Sequence, residues 1–280
     1  MHWQCRNRVL DLARPVVMGI LNVTPDSFSD GNRHAALDAA LARAAQIERE
    51  GAAIVDVGGE STRPGSLGVS AEMEMGRVIP VIEGIAAASR IAISIDTSKP
   101  EVMAAAVRAG AVIINDVNAL RAPGAREIAA ESRAGVCLMH MKGEPRTMQD
   151  DPQYDDVIGE VSAYLDEQRQ ACIRAGVARD AIALDPGVGF GKGLEHNLTL
   201  LKELERLAAL GAPLVVGVSR KSFIGRILGR PVGERLYGGL GLASLAVAKG
   251  ARIIRTHDVA ATREAIVMVA AVLAGGGTES

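Results

Sequence analysis

Asp185-Pro-Gly-Val-Gly-Phe-Gly-Lys192 follows an apolar run, residues 181–184, that has the length and composition of a buried β-strand. Its three glycines allow the backbone to turn sharply and to come close to a ligand. The final lysine makes the loop resemble a phosphate cradle, but the spacing matches neither G-x-x-x-x-G-K-[ST] nor G-x-G-x-x-G. The stretch therefore predicts a carboxylate at the tip of a strand, followed by a glycine-rich turn.

One pattern repeats along the chain: a short β-branched run, a polar or glycine-rich loop, and a helical stretch rich in Ala, Leu, Glu and Arg. The strand ends are spaced about 34 residues apart, the size of one βα unit. Eight alternations predict an α/β fold, a single-domain (β/α)8 TIM barrel rather than an open sheet. The predicted strands are Val16–Val23, Ala53–Val57, Ile91–Asp96, Val112–Val117, Val136–His140, Ile182–Asp185, Leu214–Ser219 and Ile253–His257.

The chain is expected to divide into residues 1–14 as an N-terminal segment, residues 15–274 as the barrel and residues 275–280 as a flexible tail. Ser98-Lys-Pro-Glu101 resembles a capping box that opens the helix after the third strand. Gly238-Gly-Leu-Gly241 is rich in glycine for the start of the last helix, where we expect it to lie, and could loosen that helix.

Composition excludes several classes of protein. Hydrophobic residues make up 48% of the 280 residues and aromatic residues only 2%, which suits parallel strands covered by helices on both faces. The net charge of −2, without a basic stripe, argues against a nucleic-acid partner. Three cysteines without a C-x-x-C pair suggest reduced thiols in a cytoplasmic protein. The longest apolar run, residues 266–274, is too short to span a membrane.

Polar residues stand at or beside the ends of all eight predicted strands. An isolated strand-end Asp is as often a helix cap or turn-former as a ligand. In a barrel, however, these ends meet at the C-terminal mouth, where active sites lie, and such a ring is costly to desolvate unless it holds a polar ligand. The residues are Asn22, Asp56, Asp96, Asn115, Asp116, His140, Asp185, Ser219, Arg255 and His257.

The loops after the first two strands are long for βα connections. They are either mobile surface loops or a pair of lids over the mouth. Arg63 in the second loop is suited to an anion, because a guanidinium group binds phosphate in a bidentate manner. Phe28 in the first loop is better explained by covering a ligand ring than by core packing.

Lys221 follows the seventh strand and has three interpretations: a Schiff-base lysine, a hydrogen-bond donor, or an ordinary basic residue at a helix start. The helix dipole disfavours a lysine at an N-terminus, which favours a role in ligand binding. Arg255 and His257 suit the phosphate site that barrels commonly build from the loops after strands seven and eight. No Cys/His zinc spacing is present in the sequence.

Seven motifs, in order, resemble those of the bacterial dihydropteroate synthase family, which belongs to the pterin-binding proteins. The resemblance extends from about residue 15 to the end of the last helix. The motifs are Met18–Gly31 (MGILNVTPDSFSDG), Asp56–Gly65 (DVGGESTRPG), Ile95–Pro100 (IDTSKP), Ile114–Val117 (INDV), Asp185–Lys192, Ser219–Ser222 (SRKS) and Arg255–Asp258 (RTHD).

The resemblance implies a (β/α)8 barrel, active as a homodimer, that joins 6-hydroxymethyl-7,8-dihydropterin diphosphate to p-aminobenzoate, with sulfonamides as competitors. It implies that Arg63, Lys221, Arg255 and His257 are catalytic. The pterin diphosphate would contact Thr62, Asp96, Asn115, Asp185, Lys221, Arg255 and His257. Phe28, Pro64, Phe190 and Ser219 would line the p-aminobenzoate side, and Asn22 would help to hold Mg²⁺ at the diphosphate.

For such a reaction we expect dissociative loss of diphosphate and trapping of the pterin cation by the arylamine. No covalent enzyme intermediate is then required, which disfavours the Schiff-base role of Lys221. Two alternatives remain: a methyltransferase that passes a folate methyl group to a corrinoid protein, and a relative that binds pterin without turnover. The motifs at residues 61–64 and 219–221 are not explained by the first alternative.

Overall fold

The computed structural model describes residues 1–23, 33–61, 68–143, 147–148 and 150–275. An antiparallel hairpin of β1 (His2–Cys5) and β2 (Arg8–Asp11) precedes a sheet of eight parallel strands. A bridge between Leu184 and Leu214 joins the two ends of this sheet, so the predicted (β/α)8 barrel is confirmed. The barrel strands are β3 (Val16–Asn22), β4 (Ile54–Gly58), β5 (Ala92–Asp96), β6 (Ile113–Asp116), β7 (Gly135–Met139), β8 (Ile182–Asp185), β9 (Val215–Gly217) and β10 (Ile253–Thr256).

Helices connect successive strands and cover the outside of the barrel. They are α1 (Arg33–Arg49), α2 (Ala71–Ala88), α3 (Pro100–Ala109), α4 (Ala125–Ser132), α5 (Val157–Arg174), α6 (Leu194–Lys202), α7 (Leu204–Ala208), α8 (Ser222–Leu228), α9 (Leu236–Ala248) and α10 (Val259–Leu273). Among the described residues, no helix combines the length and apolar character that a bilayer crossing requires.

The prediction that residues 98–101 form a capping box at the start of α3 is wrong. The helix begins at Pro100 and its N-cap is Lys99, which makes no side-chain capping bond. A residue before proline is held in an extended conformation, and proline itself is favoured in the first helical position, so Pro100 determines the start. Lys99 accordingly has φ −103° and ψ 119°.

The barrel interior changes from apolar to polar along its axis. Near the N-terminal ends of the strands, inward-facing side chains form an apolar layer with Trp3 and Leu12, so the N-terminal hairpin closes this end. The Trp3 indole N–H donates to the Ala181 carbonyl at 2.9 Å. Because inward positions recur every second residue, the next positions along β4, β6, β8 and β10 are polar. The apolar layer comprises Met18, Ile54, Ala92, Ile113, Cys137, Ala183, Val215 and Ile253.

The glycine-rich run at residues 238–241 lies inside α9, not at the start of the last helix, so that expectation is wrong. A Cβ on Gly238 would meet Ile224 Cγ2 at 2.6 Å, so this glycine lets α9 approach α8 closely. A Cβ on Gly239 or Gly241 would meet no atom within 4 Å among the described residues. Only the first glycine of the run is therefore required by packing within the chain.

Candidate active site

A charged network forms the floor of the barrel mouth. Arg255 on β10 donates from Nε to Asp56 Oδ2 on β4 at 2.7 Å, and from Nη2 to Asp96 Oδ2 on β5 at 2.6 Å. Asn115 on β6 donates from Nδ2 to the same Asp56 oxygen at 3.1 Å. Four strands therefore place one guanidinium, two carboxylates and an amide in a single hydrogen-bonded group.

Burial governs the electrostatics of this floor. It raises the pKa of Asp96 to about 7, with the Arg255 guanidinium opposing and the Asp56 carboxylate adding to the shift. Burial alone would lower the pKa of Arg255, but Asp56 and Asp96 outweigh it and the guanidinium stays charged. Asp56 Oδ1 is buried and has no partner among the described residues. An unsatisfied buried oxygen is costly, so a ligand N–H would offset the cost.

Asp185 and Lys221 form a second polar group beside this floor. Asp185 Oδ1 accepts from the Gly187 N–H at 2.7 Å, and burial raises the pKa of this carboxyl while that bond and Lys221 lower it. Burial lowers the pKa of Lys221 to about 8, with Asp185 opposing. Arg220, immediately before Lys221, has φ +58°, a strained conformation that places the lysine at the turn after β9.

The glycine loop that follows Asp185 packs against the connection after β7. Gly187 has φ +64°, and a Cβ there would lie 1.9 Å from the His140 carbonyl oxygen. A Cβ on Gly191, at φ +59°, would lie 2.2 Å from the Lys142 carbonyl oxygen. Both glycines are thus required by a positive φ and by close backbone contact. The loop brings the Phe190 ring to 4.1 Å from Lys221 Nζ.

The ends of the last two strands are joined by side chains. Ser219 Oγ lies 3.0 Å from His257 Nδ1, and the His257 N–H donates to Ser219 Oγ at 3.3 Å. Arg220 and Asp258 form an ion pair at 2.7 Å between the same two loops. The mouth therefore has a hydroxyl and an imidazole on the side that the loops after β9 and β10 build.

A family model described as pterin binding enzyme matches residues 18–257. The chain belongs to the pterin-binding enzyme family. It is 54% identical to the dihydropteroate synthase of Escherichia coli (strain K12) over 264 residues, and this alignment covers 94% of each of the two chains. The Yersinia pestis dihydropteroate synthase, solved with a sulfonamide drug complex, superposes with a TM-score of 0.92 at 47% identity, covering 98% of this chain and 100% of that one. The Xanthomonas albilineans dihydropteroate synthase in complex with 7,8-dihydropteroate gives a TM-score of 0.88 at 46% identity, covering 98% and 99%.

The structure of this pterin-binding enzyme brings most of the predicted site residues to one mouth. Eight of them lie on the loops and strand ends just described: Asp96, Asn115, Asp185, Phe190, Ser219, Lys221, Arg255 and His257. Asn22 is exposed at the end of β3. Phe28, Thr62, Arg63 and Pro64 lie outside the described residues.

The structure gives Asp56 and Lys192 different roles from those that the sequence indicated. Asp56 was predicted only as one of the polar strand ends, yet it is the buried partner that joins Arg255 to Asn115. Lys192 does not form part of a phosphate cradle, because it is buried and its ammonium binds protein acceptors. The missed signal for Asp56 is the inward register it shares with Ile54, since side chains alternate along a strand.

Two polar strand-end residues do not belong to the mouth as the ring of strand ends predicted. Asp116 turns away from it, because neighbouring Asn115 occupies the inward position, and its carboxylate accepts from the Asn118 and Leu120 N–H groups at 2.8 Å each. His140 is buried against Lys192, its ring nitrogen Nδ1 lying 2.9 Å from Nζ. Asp116 thus stabilises its own turn, whereas His140 joins the connection after β7 to the glycine loop after Asp185.

The part of the chain that the structure describes offers few ligands for the predicted Mg²⁺. Among the described residues, no group of three or more His, Cys, Asp or Glu side chains could hold a metal ion. Asn22 supplies an amide oxygen, of the hard donor type that Mg²⁺ accepts, at the open end of β3. Because Mg²⁺ commonly keeps its waters and binds substrate phosphates, this donor set fits an ion that arrives with a diphosphate.

Proposed function

We propose that this protein is a dihydropteroate synthase. It would join 6-hydroxymethyl-7,8-dihydropterin diphosphate to p-aminobenzoate and release diphosphate. The observation that carries the proposal is the buried polar floor, with acceptors Asp56, Asp96 and Asp185 beside the donors Asn115 and Lys221. A pterin has the complementary pattern of N–H groups, ring nitrogen and carbonyl.

The pterin would lie on this floor with its N–H edge towards Asp185. A carboxylate can accept two parallel N–H bonds from a guanidine-like edge. Lys221 and Asn115 would donate to the ring carbonyl and ring nitrogen. Asp56 Oδ1, which has no partner within the described ranges, would be a further acceptor. Rings that lack these groups would leave buried polar atoms unpaired, so we expect the site to select pterins.

The chemical step would break the C–O bond between the pterin methylene carbon and the diphosphate, with the electron pair leaving on the diphosphate. Arg255 Nε and Nη2 each donate to a carboxylate, so Nη1 and the second N–H of Nη2 would donate to the leaving group. His257, two residues further along the chain, would add to this site. Arg63 and Thr62, which lie outside the described residues, would add to this site. The amine of p-aminobenzoate then forms the C–N bond and loses its proton.

The arylamine would enter between Phe190 and Ser219, with Phe28 and Pro64 completing that side. Phe190 is fixed against Lys221, which places an aromatic surface at the edge of the mouth. Sulfonamides resemble p-aminobenzoate in shape and charge, and we expect them to compete for this position.

Mg²⁺ bound to the diphosphate would supply charge neutralisation for the leaving group, with Asn22 as the ligand from the chain. We expect calorimetry to show weak Mg²⁺ binding by the protein alone, and coupled binding of Mg²⁺ and diphosphate. Asn22→Ala should weaken this coupling. Tight Mg²⁺ binding without diphosphate would contradict an ion carried by the substrate.

The reaction is tested by incubating the protein with dihydropterin diphosphate, labelled p-aminobenzoate and Mg²⁺. We expect labelled dihydropteroate and an equal amount of diphosphate. If pterin binds but no labelled product forms, the synthase assignment fails and a binding protein without turnover remains. Transfer of a folate methyl group to a corrinoid protein in a parallel assay would favour the methyltransferase.

Pterin affinity is expected to decrease as the pH rises through about 8. The pKa of Lys221 lies near that value, so the ammonium that would donate to the pterin is lost above it. In Lys221→Arg the guanidinium stays charged and this decrease should vanish, although affinity at pH 7 falls because the fork geometry differs. Both proteins are titrated with the same pterin, so any effect of the ligand's own ionisation on affinity is the same in both and drops out of the comparison. The same pH dependence in both proteins would exclude Lys221 as its source.

We further propose that the enzyme is a homodimer through α9 and α10. These neighbouring helices expose large apolar side chains, with Tyr237 83%, Met268 64% and Val272 74% exposed. Exposed apolar surface of this kind is typical of an interface. Light scattering should give twice the chain mass, and Met268→Glu with Val272→Glu should give the monomer. A wild-type monomer at micromolar concentration would contradict the proposal.

A further inference from the structure

Lys192 is a buried lysine that binds both ends of the glycine loop. Only 2% of the residue is exposed. Its Nζ lies 3.0 Å from the Gly187 carbonyl oxygen, 2.9 Å from that of Phe190 and 3.3 Å from that of His140. The fourth partner is His140 Nδ1, at 2.9 Å. A lysine side chain is almost never fully buried unless it is paired, so these four contacts account for the burial of Lys192.

The protonation of this pair follows from its surroundings. Burial, with the Lys192 charge adding to it, lowers the pKa of His140 to about 3, so the ring is neutral and Nδ1 can accept. The ring is fixed edge-on to Tyr164, with 4.9 Å between centroids. Burial lowers the pKa of Lys192 to about 7, and Asp185 opposes this. The three carbonyl oxygens and His140 Nδ1 are four acceptors. The ammonium meets them with three N–H groups, one of which is shared, whereas the neutral amine has only two.

The same loop is held from its other side by Asn197 on α6. Asn197 Oδ1 accepts from the Gly189 N–H at 2.6 Å, and its Nδ2 donates to the Lys192 carbonyl at 3.0 Å. Gly189 in turn contacts Lys221, because a Cβ on this glycine would meet Lys221 Cδ at 2.9 Å. These contacts restrain the residues on both sides of Phe190, whose ring lies 4.1 Å from Lys221 Nζ.

We propose that Lys192, with His140 as its acceptor, is a positioning residue that holds Phe190 over the mouth and thereby determines affinity for the arylamine. This inference rests on the proposed function, since it assigns the Phe190 side of the mouth to p-aminobenzoate. The ammonium reaches the loop's backbone without touching the reacting atoms. Its loss should therefore weaken arylamine binding much more than pterin binding.

The test is a pair of calorimetric titrations on Lys192→Met. With pterin and diphosphate present, p-aminobenzoate should bind about tenfold more weakly than to the wild type, because an aromatic contact is displaced. Pterin affinity should change by less than about threefold. Lys142→Met is the matched control: this lysine is on the connection after β7 that carries His140, its side chain is exposed and it pairs with Glu160, so neither affinity should change.

Two further variants separate positioning from general destabilisation. His140→Gln keeps an acceptor for Lys192 and should retain most of the arylamine affinity, whereas His140→Leu removes it and should resemble Lys192→Met. These variants also carry the test if Lys192→Met does not fold. Unchanged arylamine affinity, or equal weakening of pterin and arylamine, would overturn the inference. Failure of the wild type to bind p-aminobenzoate would count against the proposed function instead.

Discussion

Arg255→Met is expected to lower the free energy of unfolding by about 3–5 kcal/mol, because it leaves a buried carboxylate without its counter-charge. Asp56 is 0% exposed and would lose its 2.7 Å ion pair, and Asp96 would lose one of 2.6 Å. Urea denaturation at pH 7.5 measures the effect. Activity should fall below detection, since the floor of the mouth and a donor to the leaving group are removed together.

Arg220→Met provides the matched control for this prediction. Arg220 also pairs with an aspartate at 2.7 Å, but its side chain is 44% exposed, so we expect a loss of less than about 1 kcal/mol. Asp56→Asn in the Arg255→Met background should recover part of the lost stability, because it removes the stranded charge. Equal losses in the two single variants would show that the Arg255 network contributes no more than a surface pair.

Gly187→Ala is expected to displace the whole glycine loop. The new Cβ would lie 1.9 Å from the His140 carbonyl oxygen, and that oxygen belongs to backbone that cannot move away easily. The loop would shift, losing the Lys192 bond to the Gly187 carbonyl and the Asp185 bond to the Gly187 N–H. We expect a stability loss of about 2–4 kcal/mol and a decrease in kcat/KM of about 100-fold or more.

Gly211→Ala separates this clash from the cost of a positive φ. Gly211 has φ +78°, but a Cβ there would meet nothing within 4 Å among the described residues. Its substitution should cost only about 1–2 kcal/mol and leave kcat/KM unchanged. If Gly187→Ala costs no more than Gly211→Ala and retains activity, the loop does not depend on its contact with His140.

The barrel and much of the mouth could be predicted because they follow from local patterns. Each predicted strand is present, and alternation along a strand determines which side chains point inward. This alternation explains why Asn115 enters the site while Asp116 does not, a distinction that the list of strand-end residues alone did not make. A ring of polar residues at the strand ends thus predicts the presence of a site. Which of these residues face into the site depends on their inward or outward position along each strand.

The pairings inside the site could not be predicted because they join distant parts of the chain. Asp56 and Arg255 are 199 residues apart, so neither position signals its partner. In the sequence, Lys192 ends a loop that resembles a phosphate cradle, and the three carbonyl oxygens and the His140 ring nitrogen that offset its burial are not visible there. The start of α3 was missed because Pro100 overrides the capping residues beside it.

Recognition of the pterin ring by Asp185 is the central claim, and titration of Asp185→Asn with a pterin that lacks the diphosphate tests it most directly. An amide replaces one of two acceptors by a donor, so we predict that affinity falls about 100-fold. Asp116→Asn is the control, because in the described part of the chain the hydrogen bonds to this buried carboxylate come from the turn after β6, so its substitution should change pterin affinity by less than about threefold. Unchanged pterin affinity in Asp185→Asn would contradict the assignment of the barrel floor to the pterin.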